Sequence, residues 1–541
     1  NMYKRFFHKK CLICFLIPVR RTLFPQTSAQ HLIYRATQTF SIVLFSSFVF
    51  LKTTVAQETV LQRVADYLSP FTNFTPQVFQ NPALQYYQHQ NGRTELALSA
   101  HYKDDKKTRI MQEGEGEQGF QFNAESWNKL NALSRIWGQA FYKNSQTFNI
   151  RWNETSDFQV VYPYVMADTL GGDLKSEIYS FKGGYAREQR TFLWGAELNY
   201  RANMEYRKKD PRPRNIVSDL NGQIGIALKL KENYTLGTSL KARKYKQTNN
   251  VKFFSELGVY KVYHMSGLGM DYVRFSGTNN NTYYKGKAYS GSLEVYPRLK
   301  HGFSLAITYN HFNFEKILSD LNNLPLNEMT ENRISGEISW RHTTRAQGWG
   351  IRLTAETAKR KGTENLFGDA TSGAYKQIGS AQQYICQQLF SQLLFLYENK
   401  RSARFHWSIS PYAGYHQIES KYLSPLRRLH SEMLNVGIGL NASHALKKCL
   451  LHFTLKGIRA QSLHSELVLK EGSTEKKITE MLSGNYDVLS AHQTSVQGEA
   501  RFDYSGGLTN KTLFVKAQGR YNRYSNHSES IHLSLALGLV L

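Results

Sequence analysis

The 541-residue sequence predicts an all-β fold: a transmembrane antiparallel up-and-down β-barrel with short periplasmic turns and long extracellular loops. Three observations carry that expectation. From about Arg93 to Leu541, segments of roughly ten to fourteen residues alternate apolar with polar or small side chains. The connections between them alternate in length, as they do in bacterial barrels. Beyond residue 60 no stretch approaches the roughly 18 consecutive apolar residues of a spanning helix. A strand count of about eighteen follows, within sixteen to twenty, the even number being preferred for a single-chain barrel.

Taken in order, residues 1–56 read as a presequence. They hold eight Lys or Arg and no Asp or Glu, and their apolar run from Phe40 to Leu51 ends in Thr54-Val55-Ala56 before Gln57. Basic flank, apolar run and small-x-small end make a secretory signal, though about twice the usual length, so residues 1–34 read as an over-long start. Without this segment 60 Lys and Arg face 42 Asp and Glu, a formal charge of +18 instead of +26. For an exported barrel that excess points to the anionic groups of outer-membrane lipids and lipopolysaccharide and away from nucleic acid. Cys11 and Cys14 fall in the same segment; Cys386 and Cys449 lie on different expected strands and read as unpaired thiols. Residues 57–92 form a periplasmic lead-in or small plug, with Val60, Leu61, Val64, Ala65 and Leu68 at helical spacing, then Phe71, Phe74 and Asn81-Pro82.

Residues 93–541 form the barrel. In the last strand Ile531, Leu533, Leu535, Leu537 and Leu539 point one way, while His532, Ser534, Ala536 and Gly538 point the other. Elsewhere the polar side carries charge, as in Leu513, Val515 and Ala517 against Lys516, Gln518 and Arg520. A globular core cannot accept that arrangement, but a barrel with lipid outside and water inside requires it. Short turns are expected near residues 187–190, 231–233, 298–302, 343–347, 399–403, 446–448 and 506–510. Long loops are expected near 203–215, 247–285, 316–330, 360–380, 419–430 and 462–490. The stretch 118–143 reads equally as one strand or two.

The runs VVYPYVMADTLGG (Val160 to Gly172), EIYSFKGGYA (Glu177 to Ala186) and KKDPRPRN (Lys208 to Asn215) carry a resemblance. From Trp152 onward the chain resembles an uncharacterised family of outer-membrane β-barrel proteins from Bacteroidota, a domain of unknown function. The resemblance implies the fold and location, and carries no assigned chemistry with it.

Three groups of residues stand out as candidate sites. Inward positions on the expected strands place Lys229, Lys241, Arg243, Arg333, Arg352, Lys456, Arg501, Lys516 and Arg520 in the lumen, against Glu197, Glu337, Glu356, Glu499 and Asp503. Such rings favour anions in a pore, or else pair across strands and fill a closed barrel. In the loop after residue 203, Lys208, Lys209, Arg212 and Arg214 sit beside two prolines that stiffen the backbone, a form suited to an anion. The loop 247–285 concentrates Phe253, Phe254, Tyr260, Tyr263, Tyr272, Phe275, Tyr283 and Tyr284, for a constriction, sugar stacking or an aromatic girdle. Asp157, Asp168, Asp173 and Glu177 surround a glycine turn, but their spacing is not that of an EF-hand and no metal is expected. No cofactor is expected either, nor catalysis: G-x-S-x-G, H-E-x-x-H and phosphate-loop motifs are absent.

The expected role is transport or passive diffusion of a small polar or anionic solute. The alternative is a non-conducting accessory subunit of a TonB-dependent uptake complex, with a TonB-dependent receptor as partner. An outer-membrane hydrolase ranks third and requires a serine–histidine pair on the outer wall. The barrel assembly machinery is the expected partner in biogenesis.

Overall fold

The computed structural model describes residues 60–105, 110–230, 233–254, 261–277, 281–299, 301–371, 374–402, 404–469, 476–506 and 511–541. The expected signal segment and Tyr260 lie outside the described residues.

Eighteen strands form one antiparallel sheet. They are β1 (Arg93–Asp104), β2 (Gly116–Asn131), β3 (Ser134–Ile150), β4 (Gly172–Glu188), β5 (Phe192–Tyr206) and β6 (Arg212–Lys229). Next come β7 (Tyr234–Lys252), β8 (Asn281–Pro297), β9 (His301–Leu318), β10 (Leu324–Thr343), β11 (Gln347–Thr371) and β12 (Ala374–Asn399). The last six are β13 (Phe405–Tyr422), β14 (Arg427–Ala445), β15 (Cys449–Val468), β16 (Gln493–Tyr504), β17 (Thr512–Tyr524) and β18 (Glu529–Val540). Each strand pairs with its sequence neighbours, and β1 also pairs with β18 from Glu95↔Val540 to Asp104↔Ile531. The sheet is thereby closed and has no open edge to template aggregation.

The two faces differ as lipid and lumen do. Outward rows such as Leu236 and Leu240, Ile334 and Ile338, and Leu533, Leu535 and Leu537 are exposed, while the inward Thr235, Ser239, Glu337 and Ala536 between them are buried. Apolar exposure on this scale is stable only against lipid. Near the short-turn end the outward face carries an aromatic belt. Within it Trp340 and Trp349 lie 4.3 Å apart, Tyr185 and Trp194 5.4 Å, and Tyr397 and Trp407 5.5 Å. Toward the other end Tyr179, Tyr200, Tyr289 and Tyr309 are exposed on the same face. Two such belts mark the interfaces of a bilayer.

The strand ends flanking all seven expected turns fall at one end, residues 231–232, 300, 403 and 507–510 lying outside the described residues, and an eighth turn is at residues 132–133. That turn makes two strands of the stretch 118–143. Leu130 and Leu133 are apolar and exposed, so only Asn131, whose Oδ1 accepts from the Leu133 N–H at 2.9 Å, marks the turn in composition. The loop expectations need a larger correction. The segment 360–380 belongs to a hairpin of β11 and β12, paired as far as Thr371↔Ala374, and the loops at 203–215 and 419–430 shrink to 207–211 and 423–426. The strands run past the lipid, and where both faces meet water or inserted chain the alternation disappears while the ladder continues. Cys386 lies within β12 and Cys449 opens β15, and both are free thiols.

Candidate functional site

Both ends of the lumen hold inserted chain. At the short-turn end, helix α1 (Val60–Leu68) lays Val60, Leu61 and Val64 against the inward Leu450, Phe514 and Val540. Phe71 and Phe74 then meet Leu396 beside Gly348 and Gly350, where a Cβ would come within 2.8 and 2.7 Å of their rings. Val78, Phe79, Ala83 and Leu84 continue the layer over Trp137, Ala186, Leu193, Ala227 and Tyr296.

The turn at Asn81-Pro82 seats on glycine. Gly195 of β5 faces Gly225 of β6 directly. A Cβ on Gly225 would stand 2.0 Å from Asn81 Oδ1, and one on Gly195 2.5 Å from the Pro82 carbonyl. The Asn81 amide donates to Glu294 Oε2 at 2.8 Å, and its own Oδ1 accepts from the Ala83 N–H at 2.9 Å. Further along, His89 stacks on Tyr67 at 4.2 Å and meets Trp127 edge-on at 5.4 Å. Burial first, and the Arg93 cation second, hold its imidazole down to about 4. Burial, then the hydrogen bond to Glu188, push the Tyr86 phenol up to about 12.

At the loop end, residues 151–167, residues 261–277 and the helix Lys476–Leu489 fold inward. Trp152, Val161, Tyr164, Val165, Tyr263, Met265, Ile478 and Met481 pack with the inward Tyr245, Tyr284, Phe312, Phe314 and Met329. Wall side chains fasten the inserts by their carbonyls. Tyr284 donates to Tyr164 O at 2.7 Å, Lys316 to Val165 O at 3.1 Å and Arg427 to Leu268 O at 2.7 Å. Arg360 donates to Gln159 O at 2.9 Å and Tyr162 O at 3.0 Å. Arg207 pairs with Glu154 at 2.8 Å and lies 3.8 Å from Asp168, all three side chains being at most 2% exposed. Burial first, then Asp168, push the Glu154 carboxyl well above the usual range against the pull of Arg207.

The wall between these layers carries the predicted lumen cations. All nine alternate with the outward apolar rows. Arg243 pairs with Asp219 at 2.8 Å, Arg333 with Glu331 at 3.0 Å and with Glu356, Arg501 with Asp503 at 2.9 Å and Glu95 at 3.0 Å, and Lys229 with Glu188. Arg352 donates to Phe74 O at 2.9 Å, and Arg520 to Gln497 at 2.9 Å. Lys241, Lys456 and Lys516 form no ion pair among the described residues. Four of the nine are thus paired with carboxylates, two donate to neutral oxygens, and three lysines form no ion pair among the described residues.

The loop candidates do not converge. Lys208, Lys209 and Arg214 are exposed, while Arg212 bonds Asp210 at 2.6 Å and lies 4.3 Å over the Phe254 ring. The buried cation of this segment is Arg207, just before the motif, and nothing in its spacing singled it out. The aromatic group divides as well. Tyr283 and Tyr284 belong to β8, on opposite faces, and Phe253 packs with Met166, Val251 and Val262. Phe254 is exposed, Tyr263 lies 5.6 Å from Trp152, and Tyr272 5.4 Å from Phe275. The acidic turn is dispersed too: Asp157 pairs with Arg201, Asp168 Oδ1 accepts from Leu170 and Gly171 N–H, and Asp173 accepts from Asn149 N–H. Ser443 Oγ lies 2.7 Å from His452 Nδ1, but on the inner wall, with Thr454 facing the other nitrogen at 3.3 Å.

With this geometry in hand, the match to a model described as "Family of unknown function (DUF6850)" covers residues 82–541. The chain belongs to that family. The DUF6850 match begins at Pro82, in the turn seated on Gly195 and Gly225, and takes in the whole barrel. No curated protein matches the chain. Among solved structures, it is similar to the siderophore receptor PiuA of Acinetobacter baumannii at 10% identity, over 83% of this chain and 82% of that one, with a TM-score of 0.38. BauA, the ferric preacinetobactin receptor of the same organism, is similar at 8% identity over 82% and 80%, TM-score 0.35. The ferripyoverdine receptor of the outer membrane of Pseudomonas aeruginosa is similar at 6% identity over 83% and 72%, TM-score 0.36.

Proposed function

We propose that this DUF6850 barrel sits in an outer membrane, short turns toward the periplasm, and serves uptake as a closed, partner-dependent element and not as an open diffusion pore. The observation that carries this reading is the double closure. An N-terminal layer is keyed into the wall through Asn81 and Glu294, and a loop-end layer is hung from Tyr284, Lys316, Arg360 and Arg427. Ion pairs of Lys229, Arg243, Arg333 and Arg501 remove part of the fixed charge that an anion-selective pore would present. A barrel of this size left unfilled is wide enough for a water-filled channel, so the inserts decide whether solute passes. On this reading a second protein, such as a TonB-dependent receptor, or a ligand at the loop end, supplies the free energy of opening.

Single-channel recording in a planar bilayer tests it. The intact protein is expected to be silent, and replacing residues 151–167 and 253–280 by short Gly-Ser linkers together with removal of residues 60–87 is expected to produce steady current. Anion-preferring current from the intact protein would instead make it a passive channel and direct attention to Lys241, Lys456 and Lys516.

A further inference from the structure

On the outer wall of β7 and β8 two lysine pairs face each other across the ladder: Lys244 opposite Lys287, and Lys246 opposite Lys285. All four are exposed, and they alternate with the buried inward Tyr245, Gln247, Tyr284 and Ala288. Directly opposed Cβ atoms are about 5 Å apart and the two pairs about 7 Å apart along the strands, so four ammonium groups share one small area. None of the four forms an ion pair among the described residues.

The neighbouring strands offset them only on one side, beside Lys285, and no ion pair to the four forms among the described residues. β6 sets Leu220 against Lys244 and Ser218 against Lys246. β9 sets Asn313 against Lys287 and Glu315 against Lys285, and Glu315 in turn faces Glu328 of β10. Above, Lys252 of β7 stands opposite Arg212, which Asp210 pairs, and Arg214 opposite Asn250, so Lys252 and Arg214 add positive charge on the same face. Below, the next outward pair is Ala242 and Tyr289, followed by the exposed Leu240, Leu293 and Ile224. The four lysines thus stand one step beyond the loop-end aromatic belt, where headgroups meet water.

Like charges directly opposed in a sheet are unfavourable unless an anion lies between them. We propose that this face of β7 and β8 binds the phosphates of an outer-leaflet glycolipid, its acyl chains lying along Tyr289, Leu240, Leu293 and Ile224. Lysine is a point-charge partner for phosphate, and the apolar wall beneath selects a phosphate that carries chains over a free one. The inference rests on the outer-membrane reading but not on the closed lumen.

The test uses the full-length protein in dodecyl maltoside, titrated with diphosphorylated lipid A, dephosphorylated lipid A and inorganic pyrophosphate, with binding read by native mass spectrometry. Wild type, and a control carrying K359Q/K361Q on the outward face of β11, are expected to bind diphosphorylated lipid A. In K244Q/K246Q/K285Q/K287Q the affinity is expected to fall at least tenfold, and neither dephosphorylated lipid A nor pyrophosphate should displace the lipid from wild type. Equal binding by the quadruple variant overturns the proposal, and so does displacement by equimolar pyrophosphate. If heat-modifiable mobility shows the quadruple variant unfolded, K285Q/K287Q carries the test with the same criteria. Silence in the bilayer experiment is unaffected by either result, so the two readings fail separately.

Discussion

Asn81 of the N-terminal segment donates its side-chain amide to Glu294 of β8 at 2.8 Å, with both residues at or below 1% exposure. A buried carboxylate that loses its donor bears a desolvation penalty of about 1–3 kcal/mol, so Asn81→Ala is expected to loosen the layer at the short-turn end. Gly225→Val is the stronger perturbation, since its Cβ would stand 2.0 Å from Asn81 Oδ1 while the ladder to β5 and β7 stays intact. Both variants should keep heat-modifiable mobility and gain protease cleavage within residues 60–92. Unchanged protection in Gly225→Val would show that this turn is not the anchor.

Acidification is expected to release the same layer through His89. A folded-state pKa near 4 lies below the free value of about 6.5, so between those limits the unfolded or released segment binds more protons and stability falls as pH drops. The loss amounts to about 3 kcal/mol once pH has passed through 4, and none of it is felt above about 7. Tyr67, Trp127 and Arg93 surround the ring, and Arg93 adds repulsion once it is charged. His89→Phe keeps the stacking and removes the titration. Protease protection of residues 60–92, followed from pH 7 to 4, should decline in wild type and stay flat in this variant.

At the loop end, Arg207→Met leaves Glu154 and Asp168 buried without their cation. Removing one partner of a buried ion pair costs about 3–5 kcal/mol, enough to free residues 151–171 while the strands hold. Glu154→Gln in the same chain should recover part of the loss, because the burden is the uncompensated carboxylate. Hydrogen exchange of the amides in 151–171 reads this directly, and equal exchange in wild type and Arg207→Met would sink the assignment.

The barrel itself was legible because lipid outside and protein or water inside impose a period of two that composition cannot disguise, as in Leu236, Leu240 and Ala242 against Lys241 and Arg243. The strand ends were not. Residues 247–252 and 281–285 continue the ladder above the lipid, and with Lys252 and Lys285 exposed on the outward face they read as loop. What fills the lumen was hidden for a different reason. The seat of Asn81-Pro82 is made by Gly195, Gly225 and Glu294, three residues far apart in sequence, each unremarkable on its own strand. Arg207 likewise gains its meaning only from Glu154 and Asp168, which a separate loop brings to it.

The inward and outward assignment can be tested at two adjacent residues. Leu240 is 63% exposed on the outer face of β7, and Lys241 turns inward toward Glu197. Leu240→Arg places a charge in the apolar band and is expected to cost about 2–4 kcal/mol if it lies near the bilayer midplane, less toward the interface. Lys241→Leu replaces an unpaired lumen cation with a chain of similar reach and should change folding free energy by under about 1 kcal/mol. Urea titration of the barrel refolded into thin phosphatidylcholine vesicles measures both. If the two effects came out equal, or reversed, the register of β7 against the membrane would be wrong, and with it the placement of the four lysines above it.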